Sequence, residues 1–197
     1  MRLTPVLLLL VLAPGLAAQA GAVADTASRP IEGAGVFRAA AVVDSVYLDR
    51  TLPRATVDGG DFTAYLMARL GIRALPPDFG FRVSVDTVLL RIGGRILDLP
   101  REARQALAQL VMLLPPETRL EAQVELLPAG REAVRFRLRS ATVQGVPVPE
   151  MFLASLLADV GRRYPALTET GRDLFVQVPP GAGMGLVPGG VHLTGPP

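Results

Sequence analysis

The chain has no cysteine, lysine, asparagine or tryptophan, and one histidine. Without cysteine there can be no disulfide, thiol nucleophile or zinc–thiolate centre. The lone histidine, His192, falls at the end of an expected terminal strand with no serine in a nucleophile-elbow setting to serve. This argues against a hydrolytic triad. Arginine is the sole strong base, so the isoelectric point looks basic although the formal charge is only +2. Acids and bases are interspersed, and no block of positive charge suggests nucleic acid as a partner. The missing lysine and asparagine, beside abundant Ala, Gly, Pro and Arg, point to a genome rich in G and C rather than to a function. Apolar runs of membrane-spanning length, roughly 20 residues, are absent.

The short N-terminal apolar run reads as a targeting segment. Arg2 gives a positive start, Leu7–Leu12 an apolar stretch, Pro14-Gly15 a helix break, and Ala18-Gln19-Ala20 a small-x-small cleavage site. Residues 1–20 are therefore expected to be a signal peptide, with an uncleaved anchor as the alternative. Residues 21–35, rich in Ala and Gly and without periodicity, are expected to be a flexible leader. Residues 36–197 are long enough for a single domain with its own core. An exported domain without disulfides suits a bacterial periplasmic or secreted protein.

The most regular stretch is Arg119 to Arg163. Leu120, Ala122, Val124 and Leu126 alternate with polar residues, as do Val134, Phe136 and Leu138 after a turn at Pro128-Ala129-Gly130. Pairing across that turn is expected to set Glu125 opposite Arg135 and Glu121 opposite Arg139, leaving an apolar reverse face. Pro147 and Pro149 then introduce a helical stripe of Phe152, Leu153, Leu156, Leu157 and Val160.

Elsewhere the pattern predicts a strand over Val42–Leu48, a connector from Thr51 to Gly60, and a helix capped by Asp61 and stopped by Gly71. A long strand from Phe79 to Ile92 is expected to turn at Gly93-Gly94, with Arg95–Leu99 returning beside it. Pro100–Leu114 reads as a further amphipathic helix, Arg172–Val178 as a strand, and Met184–Val187 with Val191–Thr194 as a hairpin about Gly189-Gly190. Ala55-Thr56-Val57-Asp58-Gly59 resembles Ala141-Thr142-Val143-Gln144-Gly145, either because two halves are related or because small residues coincide. The sum is an α+β fold: a twisted antiparallel sheet of long hairpins packed on two or three amphipathic helices.

Motifs for chemistry are sparse. Asp58-Gly59-Gly60-Asp61 lacks the alternating acids and distal Glu of a calcium loop and reads as a turn with a helix cap. Gly181-Ala182-Gly183-Met184-Gly185 lacks the lysine and strand-to-helix setting of a phosphate cradle and reads as a flexible loop. Asp86 and Asp98 show no spacing that pairs them for acid–base work. The Arg135-Arg137-Arg139 stripe reads as a charge ladder with Glu121 and Glu125, or as a surface for anionic lipid headgroups. No enzyme activity, cofactor or metal is implied. The helices, apolar beyond one narrow stripe, fit either plain core or the wall of an apolar cavity.

The order of elements resembles that of bacterial secreted proteins of the tubular lipid-binding (TULIP-like) kind, including envelope members of uncharacterised function. It comprises a signal, a helix, alternating strands, the Gly145-x-Pro147-x-Pro149 entry to a helix, and Leu174 to Pro180 before a Gly-Gly hairpin. That resemblance implies a curved sheet around an apolar groove that accepts acyl chains. The expected function is non-enzymatic binding of lipid or another apolar ligand in the cell envelope, with lipid or a membrane surface as partner. Phe136, Leu138, Phe152, Leu153, Leu156 and Leu157 are the candidate groove residues. A structural or adaptor protein with a filled core is the competing reading.

Overall fold

A computed structural model describes residues 28–72, 75, 79–99, 104, 114–163, 167–168 and 170–197. The architecture is α+β, with two antiparallel sheets and three helices among the described residues. Strands β1 (Arg29–Pro30), β3 (Arg82–Val85), β4 (Leu89–Arg95), β5 (Arg119–Pro128), β6 (Ala133–Val143) and β7 (Val146–Pro147) lie side by side in that order. Strand β8 (Asp173–Gln177) pairs with the first half of β6 and completes a seven-stranded sheet. The smaller sheet has the order β2 (Arg54–Asp58), β10 (Gly190–Thr194), β9 (Gly183–Val187).

Two expectations near the start of the domain are corrected. The leader is not wholly outside the fold, because Arg29–Pro30 pairs with β3 and Ile31 is fully buried. Val42–Leu48 is not a strand but part of helix α1, Gly35–Tyr47. Val36, Ala39, Val43, Val46 and Tyr47 recur at three and four residues, and the buried ones fall on that stripe. The short alternation inside it is overridden by thirteen residues of helical spacing rich in alanine.

The Thr51–Gly60 connector contains β2, with Val57 buried between exposed Thr56 and Asp58. Helix α2, Gly59–Arg69, is capped by Asp58 rather than Asp61, the Asp58 carboxylate accepting the Gly60 N–H at 2.8 Å. Asp61 instead accepts a two-pronged contact from Arg38 of α1, at 2.8 and 2.6 Å. Gly59 and Gly60 are needed for close packing. A Cβ on Gly59 would fall 2.6 Å from a Val85 methyl, and one on Gly60 would run into the Pro30 carbonyl. Gly71, at φ +94°, ends the helix as expected.

In the large sheet the β3–β4 turn lies at Asp86, not at Gly93-Gly94. The Asp86 carboxylate accepts the N–H groups of Val88 and Leu89, both at 2.7 Å, which closes the chain there. Gly93 and Gly94 lie inside β4 and pair with Glu121 and Leu120. Residues Ile96–Asp98 form a short 3₁₀ turn rather than a returning strand.

The central hairpin forms, but with another register. Its loop spans residues 129–132, with Gly130 at φ +92°, so Glu125 faces Arg137 instead of Arg135. A bulge at Gln123/Val124 then sets Glu121 opposite Thr142, not Arg139. Val124, Leu126, Val134, Phe136 and Leu138 still share the apolar face, because a shift of two preserves the side.

The core lies under that face. Phe62 of α2, fully buried, meets Phe136 with ring centroids 5.8 Å apart. Val83, Leu90, Val191 and Leu193 join the same cluster. The two sheets are stitched by Gly189, whose N–H donates to Val85 O at 2.8 Å and whose carbonyl accepts from Gly59 N at 3.0 Å. Helix α3, Glu150–Arg163, follows Pro149 as expected and buries Leu153 and Leu157. Gly171, at φ +67°, lies so close to the Leu157 carbonyl that no side chain fits between. The two similar pentapeptides differ locally: one runs from β2 straight into α2, the other ends β6 in a turn with Gln144 and Gly145 at positive φ. The expected helix over Pro100–Leu114 lies outside the described residues except for Arg104 and Leu114.

Candidate ligand-binding site

Of the six residues expected to line an apolar groove, the five whose side chains are described, Phe136, Leu138, Phe152, Leu153 and Leu157, are not gathered around one groove. Phe136 belongs to the closed core beneath Phe62, and Leu138 is half-buried on the same sheet face. Phe62 of α2 packs on Phe136. Leu153 and Leu157 are buried on α3, apart from the cluster around Phe136. Phe152 is 63% exposed, and the side chain of Leu156 lies outside the described residues.

A groove does exist elsewhere, between the two sheets. The tip of the β5–β6 hairpin forms one wall, with Leu126, Leu127, Ala133 and Val134. Edge strand β9 forms the other through Met184 and Leu186, with Val178 and Ala182 just before it, and Val88 leans in from the Asp86 turn. The volume is about 610 Å³, open along one side. That is the size range of small-ligand sites.

Two contacts hold the walls. Val178 N donates to Glu132 O at 2.9 Å, fixing the segment after β8 to the hairpin loop. The Tyr47 hydroxyl donates to Gly183 O at 2.7 Å, tying α1 to the start of β9. Burial pushes the Tyr47 phenol up to about 12, with a smaller push from Tyr65. The Gly181–Gly185 stretch is thus not a loose loop: Gly181 makes a turn at φ +80° and Gly183 opens β9. At the mouth, Arg131 is exposed, and its side chain has no hydrogen bond or ion pair among the described residues.

The groove walls are mainly apolar, with Thr87, Glu125 and Arg131 as the polar side chains of the lining, and among the described residues no nucleophile stands beside a base. Among the described residues no cluster of His, Cys, Asp or Glu could hold a metal. His192 lies in β10, with Nδ1 3.3 Å from Thr56 Oγ1 across the small sheet. No protein-family model matches the chain, and no curated protein or solved structure matches it. No helix among the described residues is long and apolar enough to cross a membrane.

Several other charged groups do structural work. Arg137 does not simply ladder with the glutamates; its guanidinium grips Asp173 of β8 at 2.8 and 3.0 Å. Arg135 lies 3.9 Å from the same carboxylate, and Arg172 turns to Glu150 at the start of α3. The hydrogen bond from Arg137 holds the Asp173 carboxyl below its usual range against the opposing effect of burial. Asp98 is lowered chiefly by its contact with Arg95. For Asp86, burial acts upward, but the turn N–H groups and Arg91 outweigh it and the carboxyl is lowered. Each of these three carboxylates is committed to an arginine or a turn, which leaves neither Asp86 nor Asp98 free as a general base.

Proposed function

We propose that this protein is exported to the bacterial cell envelope and binds an apolar ligand there, without catalysis, by laying an acyl chain in the groove between the hairpin tip and β9. The observation that carries this is the lining: Val88, Leu126, Val134, Val178, Met184 and Leu186 converge from five separate segments on an open volume of about 610 Å³. The driving force is desolvation, at ~0.8 kcal/mol for each methylene buried. Export rests on Arg2, Leu7–Leu12 and Ala18-Gln19-Ala20.

The adaptor reading is favoured by a different observation. Val146, Met151 and Phe152 are all strongly exposed and lie within seven residues around the start of α3. Such a patch fits a protein partner as well as a ligand.

Native mass spectrometry of the purified protein for retained lipid separates the two, together with uptake of a fluorescent fatty acid. Val88→Glu is the decisive variant, because Val88 is 59% exposed and its replacement leaves the core intact. Ligand binding predicts that it loses the fatty acid at unchanged stability. A parent protein with no retained lipid and no uptake overturns the lipid reading.

A further inference from the structure

On the opposite face of the large sheet, away from the apolar groove, four guanidiniums surround a bare glycine. The register sets Arg82 of β3 beside Gly93 of β4, and Gly93 beside Glu121 of β5. Arg91 and Arg95 lie two residues on either side of Gly93 along the same strand, hence on the same face. Arg119 pairs directly with Arg95. Together with Ser84, Thr142 and Gln144 they line an open trough of about 930 Å³.

The four arginines are not equally committed. Arg91 is neutralised by Asp86 at 2.8 Å, and Arg95 by Asp98 at 2.9 and 3.0 Å with Glu117 at 3.2 Å. Among the described residues Arg82 donates only to neutral groups, the Ser28 hydroxyl at 3.1 Å and the Ser28 carbonyl at 2.7 Å. The Arg119 side chain has no hydrogen bond or ion pair among the described residues, although it stands across from another arginine. Arg95 is already compensated by Asp98 and Glu117, so the exposed Arg119 side chain is left to donate charge-assisted hydrogen bonds to an anion outside the chain.

The glycine floor points the same way. Gly80 and Gly94, which also line this trough, are each filled by a neighbour: Asp98 lies against the first and the Phe81 ring against the second. Gly93 is different. A Cβ there would find only the Leu120 carbonyl at 3.4 Å and Glu121 Cγ at 3.9 Å. Glycine inside a strand without a packing neighbour marks a place where something else approaches the backbone.

We infer that this trough binds a phosphate monoester of a small hydroxylated molecule. Arg82 and Arg119 take the phosphate oxygens over Gly93, where forked guanidiniums suit a planar pair of acceptors. Glu121, directly beside Gly93 on β5, and Thr142 and Gln144 beyond it take hydroxyl groups; among the described residues Glu121 is the lining carboxylate without an arginine partner, and it disfavours a purely anionic ligand. The site is independent of the apolar groove and stands or falls separately.

Calorimetric titration of the purified protein at low salt tests it, with inorganic phosphate, glycerol 3-phosphate and vesicles containing phosphatidic acid, whose headgroup is a phosphate monoester, as probes. The parent is expected to bind glycerol 3-phosphate more tightly than inorganic phosphate. Arg119→Gln and Arg82→Gln should each weaken binding about tenfold or more, as for loss of a charge-assisted hydrogen bond. Arg69→Gln, on α2, should not. Arg119→Gln should also melt no lower than the parent without ligand, because the exposed Arg119 side chain makes no hydrogen bond or ion pair among the described residues; this separates loss of a site from loss of folding. Vesicle binding that needs Arg119 and is competed by glycerol 3-phosphate assigns a lipid headgroup as the source. Soluble binding without vesicle binding assigns a free ester. A parent that binds none of the three probes, or an Arg119→Gln variant that binds like the parent, overturns the inference.

Discussion

Gly93 and Gly94 are adjacent, identical and in one strand, yet alanine should act on them in opposite directions. Neither has positive φ, so both backbones accept a side chain without strain. Replacing a strand glycine by alanine gains ~0.5–1 kcal/mol, largely through the unfolded chain. At Gly93 nothing offsets this, because the new Cβ makes only ordinary contact with the Leu120 carbonyl at 3.4 Å. At Gly94 the Cβ lands 2.6 Å from Phe81 Cγ and 2.7 Å from Cε2. The ring cannot simply step aside, since it is stacked on Phe79 with centroids 5.1 Å apart and an interplanar angle of 13°. Overpacking of this kind costs ~1–3 kcal/mol. The net expectation is that Gly93→Ala stabilises by ~0.5–1 kcal/mol and Gly94→Ala destabilises by ~0.5–2 kcal/mol. Urea denaturation with an unchanged m-value measures both. Adding Phe81→Leu should recover part of the Gly94→Ala loss, a coupling that a double-mutant cycle reads directly. If both alanine variants lose stability alike, the pair sits in a turn of positive φ, and the strand assignment of β4 is wrong.

Phe62→Ala should destabilise by ~3–5 kcal/mol, because it opens a cavity between α2 and Phe136 that no neighbouring chain can fill; chemical denaturation reads it. Tyr47→Phe should cost ~0.5–1.5 kcal/mol at neutral pH through the lost bond to Gly183 O. It should also abolish an alkaline limb. A phenol raised to about 12 in the fold contributes stability that is complete below its ordinary 10.0 and lost as pH rises through 12. Asp173→Asn should flatten the acid limb of a stability–pH curve. A carboxylate held below 3.8 contributes stability that is present above that value and lost as pH falls through the lowered one. N-terminal sequencing of protein exported from a bacterial host should begin at Gly21, and a retained Met1 in the membrane fraction would refute cleavage.

The α+β class and most of the long elements are legible in the sequence because their burial is one-sided. Leu120 to Leu126 and Val134 to Leu138 alternate without interruption, and α3 starts where Pro149 says it should. What the pattern cannot carry is register and the reason for a glycine. A loop two residues longer than a tight turn moves Arg137 onto Glu125 and Asp173 without changing which side chains are apolar. Gly-Gly is read as a turn from its letters, yet Gly59 and Gly60 make room for Val85 and Pro30, and Gly94 for Phe81. Helix α1 is misread as a strand because Val42, Val43 and Val46 satisfy either period over seven residues; only the full thirteen decide it.

The candidate groove is illegible for a related reason. Its walls are the least patterned parts of the chain: a hairpin tip, a turn at Val88, and a glycine-rich stretch that carries Met184 and Leu186 in an edge strand. The turn and the edge strand show no stripe, because each contributes only one or two apolar groups, and the alternation of Leu126 and Val134 in the hairpin points to core as readily as to a groove. They meet because β10 pairs with both β2 and β9, while Gly189 and Tyr47 hold that small sheet against Val85 and α1. Phe136, by contrast, has the strongest alternation around it and is for that reason fully used by the core. In a fold with three helices and two sheets among the described residues, the side chains with the clearest periodicity are spent on folding. Space for a ligand is left where periodicity stops, at the seam between sheets.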